Sequence, residues 1–155
     1  MSMSLPDGKE IRPVRFAREH IGQVAELERR FFSEPWSESA LSLLLTEEYP
    51  SFVLVTDTGE VVGYISAQRA LDELQIINLA IREGYRGRGF GVMLLETAEA
   101  YCRGEEIVSL SLEVRESNSA ARGLYKKQGY REAGVRKNFY RQPTENAVVM
   151  IKNLI

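Results

Sequence analysis

Two side chains in the second half of the chain have the types and the spacing that proton transfer requires. Glu113 lies in a run with strand-like alternation, and Tyr125 follows in a run with helical spacing. A carboxylate can accept a proton from an attacking group, and a neutral phenol can donate one to a leaving group. Asn118, Ala121 and Tyr125 fall on one stripe of the predicted helix. Glu113, Asn118 and Tyr125 are therefore the candidates for chemistry.

Each of these three residues also has a structural interpretation, which the pattern alone leaves open. Glu113 could pair with Arg115 or with another surface charge. Tyr125 could be an amphipathic residue at the edge of the core, and Asn118 is well suited to cap a helix. Function is favoured only when these residues are considered together with the glycine-rich segment that precedes them.

The glycine-rich segment, residues 85–91, reads Tyr-Arg-Gly-Arg-Gly-Phe-Gly and lies between a predicted strand and a predicted helix. Backbone N–H groups and the positive end of a helix dipole converge at such a junction. Glycines let the backbone approach a bulky anion, and Arg86 and Arg88 add positive charge. This combination predicts a pyrophosphate ligand. The structural alternative is a plain turn between strand and helix.

Two common phosphate-binding motifs do not fit this segment. A Walker loop requires Gly-Lys-Ser/Thr, which is absent. A dinucleotide fingerprint starting at Gly87 would need a third glycine where Val92 stands. Glu113 lies at a suitable distance for the ribose acid, but a single strand–helix–strand unit supplies only half of that fold. Both alternatives therefore fail.

A third pattern, Arg/Gln-x-x-Gly-x-Gly/Ala, is met by Arg86, Gly89 and Gly91. It resembles the signature of the GNAT acetyltransferases, whose loop holds the pyrophosphate of coenzyme A.

Such an enzyme needs a neutral amine as nucleophile. An α-amino group has a pKa of about 7.7–8.0 and a lysine side chain one of about 10.4, so a base assists either acceptor and matters more for lysine. The departing thiolate needs a proton, which a phenol can give.

Further segments resemble the ribosomal-protein alanine N-acetyltransferases, a GNAT subgroup, over residues 11–152. The matching stretches are 34–38 (Glu-Pro-Trp-Ser-Glu), 77–81 (Ile-Asn-Leu-Ala-Ile), 111–118 (Ser-Leu-Glu-Val-Arg-Glu-Ser-Asn), 124–125 (Leu-Tyr), 136–140 (Arg-Lys-Asn-Phe-Tyr) and 145–147 (Glu-Asn-Ala). Two features depart from the subgroup. The segment between Tyr140 and Val148 is shorter, which affects substrate choice, and Gly87 replaces a larger polar residue.

The resemblance implies a role for each matching position. Glu113 would be the general base and Tyr125 the general acid, while Trp36 and Tyr140 would line a peptide groove. The contacts to acetyl-coenzyme A would come from the strand residues Leu79, Ala80 and Ile81, from the loop residues Arg86, Gly87, Arg88, Gly89, Phe90, Gly91 and Val92, and from Asn118. No metal is implied.

The implied activity is acetyl transfer from acetyl-coenzyme A to a protein N-terminus, that of the N-terminal alanine of a small-subunit ribosomal protein. Two alternatives stay open: a small-amine or lysine acetyltransferase on the same fold, and a non-catalytic acetyl-CoA-binding subunit.

His20, the only histidine, is interpreted as a residue at a helix start, and Cys102, the only cysteine, as a buried thiol. We therefore expect direct transfer without an acyl-enzyme.

The elements that must position these residues follow from periodicity. Apolar residues with helical spacing and helix-capping residues predict four helices, and β-rich or alternating runs predict strands. In the helix that follows the glycine-rich segment, Glu99 and Arg103 are expected to form an outward-facing i,i+4 pair. The predicted order is strand 11–17, helices 20–32 and 37–48, strands 51–57, 60–69 and 73–82, helix 89–103, strand 107–115, helix 118–128, and strands 130–140 and 147–154.

The predicted fold class is α/β, with a GNAT-like central mixed and mostly antiparallel sheet flanked by helices on both faces. Residues 1–10 are expected to be a short loose tail and 11–155 a single domain. Net charge is −2, which does not suggest nucleic-acid binding, and no apolar run approaches the ~20 residues of a membrane span. The absence of a secretory signal pattern and the single cysteine favour a cytoplasmic location.

Overall fold

A single eight-stranded sheet organises residues 2–155, which are the residues that this computed structural model describes. The strands lie side by side in the order β1-β2-β3-β4-β5-β6-β8-β7. Their bounds are β1 Met3–Ser4, β2 Glu10–Arg15, β3 Phe52–Thr56, β4 Val61–Ala70, β5 Glu73–Ile81, β6 Ser109–Arg115, β7 Arg131–Tyr140 and β8 Glu145–Asn153.

Helices cover both faces of this sheet. They are α1 Ile21–Phe31, α2 Glu38–Leu41, α3 Phe90–Gly104 and α4 Ser119–Lys127, with 3₁₀ turns at Arg18–His20 and Ser42–Leu45. Two hydrophobic clusters result, one built around α3 and the other around α1 and α2. Adjacent residues of one strand contribute to opposite clusters, as Val53 and Leu54 do on β3. The predicted fold class is confirmed.

One pair of neighbouring strands, β5 and β6, is parallel, whereas all other pairs in the described sheet are antiparallel. Their pairing covers only Glu73 to Ile76 against Ser109 to Leu112, although both strands continue further. A register shift in the β4–β5 ladder lies at the same level, where Ser66 faces Asn78 and Ala67 faces Ile76. Since a bulge bends its strand, β5 diverges from β6 beyond Ile76 and a gap opens between them.

The segment that the sequence predicts as a short loose tail contacts the sheet in the described residues; Met1 lies outside them. Met3 pairs with Ile11 in an antiparallel ladder, and Leu5 is buried in the cluster around α3. Burial of these apolar side chains against the sheet explains why the segment is ordered.

The second predicted helix, 37–48, is shorter than expected. Ser37 caps it as predicted, because its side chain accepts a hydrogen bond from the Ala40 N–H. The α-helix ends at Leu41 and continues as a 3₁₀ turn. The Thr46 hydroxyl donates to the carbonyl of Leu43 (2.7 Å), as does the Thr46 N–H (3.1 Å), and these local bonds compete with helix continuation.

The predicted outward-facing pair of Glu99 and Arg103 is wrong. Glu99 is buried on the core side of α3, and its carboxylate pairs with Lys152 Nζ of β8 at 2.6 Å. A buried carboxylate needs such a partner, and this partner lies far away in sequence. The remaining helices and strands match their predicted positions to within a few residues.

Candidate active site

A cleft of about 650 Å³ occupies the gap where β5 and β6 diverge. One side is formed by β5 and the other by β6 and α4. Its outer walls come from the segment after α1 and from the end of β7. The residues that form these surfaces include Phe31, Phe32, Trp36, Gln75, Ile77, Leu79, Glu113, Arg115, Asn118, Leu124, Tyr125, Phe139 and Tyr140. The cleft therefore brings together the predicted acid, base and peptide-groove residues.

Backbone groups of β5 are exposed on the cleft side. The Arg82 N–H donates to Val62 on β4 (2.8 Å), and the Asn78 N–H donates to the Ser66 hydroxyl (3.1 Å). Because backbone groups alternate in direction along a strand, those of Leu79 and Ile81 face away from β4. An extended acyl arm could hydrogen-bond to them as an added strand does.

The glycine-rich turn ends at the N-terminus of α3. Gly84, Gly87 and Gly89 all have positive φ, of 88°, 74° and 86°, which L-residues rarely adopt. Gly89 is the N-cap residue and offers no side chain to the helix. Helix geometry leaves the N–H groups of the first turn, residues 90–92, without intrahelical partners. The turn thus presents N–H donors together with the positive end of the helix dipole.

The arginines of this turn differ in their surroundings. Arg86 Nε donates to the Ile81 carbonyl at 3.0 Å, and its guanidinium lies 4.5 Å from the Phe31 ring centre. Arg88, two residues further on, is exposed, as is Arg86. Phe90 is buried, so only its backbone could contact a ligand. The turn therefore offers two exposed guanidinium groups, of which that of Arg86 is oriented by its contacts, and their positive charge suits an anionic ligand.

Glu113 lies on β6 with its side chain 14% exposed. Its Oε1 is 3.5 Å from Gln75 Nε2 and 3.5 Å from the Nε of the largely exposed Arg136. Of the two structural alternatives for Glu113, an ion pair with Arg115 does not form, since Arg115 pairs with Glu145 at 3.3 Å. The other alternative, an ion pair with a different surface charge, does form, with Arg136. The loose contacts of Glu113 leave its carboxylate available to a group in the cleft.

Tyr125 reaches the cleft from α4 and is 8% exposed. Its ring packs edge-on against Tyr130 at 5.8 Å between centres. Burial raises the pKa of the Tyr125 phenol to about 12, so the hydroxyl is protonated at neutral pH. Asn118 caps the same helix, with Oδ1 accepting from the Ala121 N–H at 3.1 Å. The cap interpretation of Asn118 is thus confirmed, and this residue also lines the cleft.

Trp36 and Tyr140 lie in the two outer walls of the cleft. Trp36 packs edge-on against Tyr49 at 6.4 Å. Tyr140 contacts Phe139, with ring centres 5.1 Å apart. Burial, reinforced by the nearby Glu113 carboxylate, raises the pKa of Tyr140 to about 12, so this residue offers a neutral hydroxyl.

Glu28, which the sequence analysis did not single out, supports this region. It is 1% exposed, and its carboxylate accepts hydrogen bonds from the Trp36 N–H (2.9 Å), from Asn78 Nδ2 (2.9 Å) and from the Tyr64 hydroxyl. A signal was present in the sequence, because Glu28 falls on the apolar stripe of α1 with Val24. The carboxylate joins the Trp36 segment to the divergent part of β5.

Replacing Glu28 with leucine is expected to lower the free energy of unfolding by about 2–5 kcal/mol. Leucine fills the space but leaves the buried N–H and hydroxyl donors without their acceptor. Urea unfolding followed by Trp36 fluorescence measures this loss. Glu26→Gln is the control, since Glu26 is half exposed and its ion pairs should contribute less than about 1 kcal/mol. Equal stability of the two variants would contradict the role given to Glu28.

His20 and Cys102, the only histidine and the only cysteine of the chain, have structural rather than catalytic surroundings. His20 Nδ1 accepts from the Ala17 N–H at 2.9 Å, in agreement with its predicted place at a helix start, and burial lowers its pKa. Cys102 is fully buried, which raises the pKa of its thiol to about 11. A thiol of this kind is a poor nucleophile.

Within residues 2–155, no cluster of acidic, histidine or cysteine side chains suits a metal ion, and none of the helices is long and apolar enough to cross a membrane.

Comparison with known proteins agrees with this geometry. Residues 21–130 match the Acetyltransferase (GNAT) family. The [Ribosomal protein bS18]-alanine N-acetyltransferase of Haemophilus influenzae is 40% identical over 128 residues, covering 81% of this chain and 86% of the relative. Its Escherichia coli counterpart is 36% identical over 128 residues, with 80% and 84% covered. The crystal structure of the E. coli ribosomal-protein-S18-alanine N-acetyltransferase superposes with a TM-score of 0.85 at 29% identity, covering 93% of this chain and 94% of that one.

Proposed function

The chain belongs to the GNAT family of acetyltransferases, and we propose that it acetylates the N-terminal α-amino group of an alanine in a small-subunit ribosomal protein, with acetyl-coenzyme A as donor. The observation that carries the proposal is the meeting of a carboxylate, Glu113, and a protonated phenol, Tyr125, in one cleft. Two residues that line this cleft, Leu79 and Leu124, also lie beside Gly91 in the first turn of α3. The names of the relatives support the choice of acceptor.

The donor would enter along the divergent edge of β5. The N–H groups of residues 90–92, with Arg86 and Arg88, suit the negative charge of the pyrophosphate. The backbone of Leu79, which lines the cleft, and the Ile81 N–H suit the amides of the pantetheine arm, whereas the Ile81 carbonyl already accepts from Arg86. The predicted contact from Ala80 is less suitable, because the alternation that turns Leu79 and Ile81 outward directs the backbone groups of Ala80 toward Tyr64 on β4. Asn118 uses Oδ1 for its cap, so its amide N–H₂ is the part that can contact the coenzyme.

The acceptor would enter between Trp36 and Tyr140. Glu113 accepts a proton from the acceptor ammonium, directly or through water, and the free amine attacks the acetyl carbonyl carbon. The new C–N bond forms as the C–S bond breaks, and Tyr125 gives its proton to the departing thiolate. After the attack the nitrogen loses a second proton, which returns to the Tyr125 oxygen and restores the phenol. The first proton, held by Glu113, passes to solvent. The products are the acetylated amine, coenzyme A and one proton, so the step balances.

Intact-mass spectrometry of paired peptides tests the proposed acceptor. One peptide has a free N-terminal alanine followed by basic residues and no lysine, and the other has a blocked N-terminus and an internal lysine. We expect a mass gain of one acetyl group on the first peptide alone. Transfer to the second alone would favour a lysine enzyme. Transfer to neither would favour a small-amine acceptor or a silent acetyl-CoA-binding protein.

A further inference from the structure

The Arg115 guanidinium, at the end of β6, donates four hydrogen bonds. Its Nη1 donates to the Pro143 carbonyl (3.0 Å) and to Glu145 Oε1 (3.3 Å). Its Nη2 donates to the Arg141 carbonyl (3.0 Å) and to the Ser33 hydroxyl (3.2 Å). These partners belong to two segments that are more than a hundred residues apart in the chain. A planar guanidinium can serve several acceptors at once, which a lysine ammonium cannot do in the same geometry.

The two segments are the outer walls of the cleft. We call residues 31–36 the first acceptor wall, which includes Trp36, and residues 139–145 the second acceptor wall, which includes Tyr140. The Arg115 guanidinium also lies 4.4 Å from the centre of the Tyr140 ring, within cation–π range. Arg115 therefore contacts both walls directly.

Other connections between the walls are few. The Ser33 hydroxyl donates to the Arg141 carbonyl at 3.1 Å. In the described part of the chain, every hydrogen bond that links the two acceptor walls involves Ser33 or Arg115. Residues on the same face of a strand are two apart, so Arg115 projects to the same side of β6 as Glu113. The link between the walls thus lies next to the proposed base.

We propose that Arg115 is a positioning residue that ties the two acceptor walls together and so fixes the width of the acceptor groove beside Glu113. The inference rests on the proposed function, because it assigns the acceptor to this groove. Arg115 does not transfer a proton or touch the acetyl donor. It sets where the acceptor amine stands relative to the carboxylate, and small displacements at that point reduce the rate strongly.

Arg115→Gln tests this role, with Arg122→Gln as the matched control. Arg122 has nearly the same side-chain exposure, 26% against 25%, and also pairs with a carboxylate and a carbonyl, but on α4 away from the cleft. We expect Arg115→Gln to lower kcat/KM for the acceptor peptide by about tenfold or more, with the Kd for acetyl-coenzyme A changed less than twofold. Arg122→Gln should leave both constants near wild type. Arg115→Lys should recover only part of the loss.

Hydrogen exchange provides a readout that does not depend on the acceptor. In Arg115→Gln, amide exchange should accelerate in both acceptor walls, whereas Arg122→Gln should leave them protected. Unchanged exchange in the walls would overturn the tie, whatever the activity. Faster exchange without a change in kcat/KM for the acceptor would also overturn the proposal, because the tie would then be structural only. If wild-type protein fails to acetylate the peptide while exchange responds as expected, the proposed acceptor is wrong and the tie stands.

Discussion

Replacing Glu113 with glutamine is expected to lower kcat/KM for a peptide acceptor by about 10²- to 10⁴-fold at pH 7. Glutamine keeps the size of the side chain and can still contact Gln75, but it cannot take the proton of the acceptor ammonium. The α-amino group has a pKa of about 7.7–8.0, so most of the acceptor is protonated at pH 7. Steady-state kinetics with an alanine-initiated peptide measures the loss.

The pH dependence of this variant separates a base from a residue that merely shapes the cleft. Above the pKa of the acceptor the amine is already free, so the deficit of Glu113→Gln should shrink as pH rises from 7 to 9. A deficit that stays constant across that range would contradict the assignment as base. Glu116→Gln is the control, because this glutamate is exposed on the turn after β6, and its activity should equal that of wild type.

Local sequence signals predicted much of the site because they depend on neighbouring residues. The glycines of the turn before α3 and the cap of α4 at Asn118 are short-range features, and the structure has both where the sequence indicated them. The strand-like alternation around Glu113 likewise predicted β6, on which Glu113 and Arg115 share a face. Periodicity, capping and turn chemistry act over a few residues, so a single sequence reveals them.

Features that depend on distant pairing were not predictable in this way. The gap between β5 and β6 arises from a register shift against β4 at Ile76, and nothing in the residues of β5 alone specifies it. Helical spacing predicts an outward-facing Glu99, whereas its actual orientation depends on Lys152, which lies on the last strand. Tertiary contacts override local preference in such cases.

Arg115 and Glu28 illustrate the same limit for the site. Arg115 was noted only as a possible partner of Glu113, and its contacts to Ser33 and Arg141 require that two remote segments meet at the end of β6. Glu28 lay on an apolar stripe, which is an unusual place for a carboxylate, but its donors come from three separate segments. A buried polar residue on such a stripe indicates a network, and the structure is needed to identify its members.

Replacing Tyr125 with phenylalanine is expected to lower kcat by about 10²-fold, with little change in the Kd for acetyl-coenzyme A. The ring and its packing against Tyr130 are kept, and only the hydroxyl that protonates the departing thiolate is lost. Because burial raises the phenol pKa to about 12, the acid form persists as pH rises and is lost only as pH passes through that value. Wild-type kcat should therefore show no decline from phenol ionisation up to pH 10.

Tyr130→Phe is the matched control for the loss of a hydroxyl, since the Tyr130 hydroxyl is buried without a hydrogen-bond partner among the described residues. Its removal leaves no group unsatisfied, so kcat and stability should stay near wild type. Pre-steady-state measurement of thiol release locates the effect, because only the step that breaks the C–S bond should slow in Tyr125→Phe. If Tyr125→Phe released thiol as fast as wild type, the proton would come from water and the role of Tyr125 would be confined to packing.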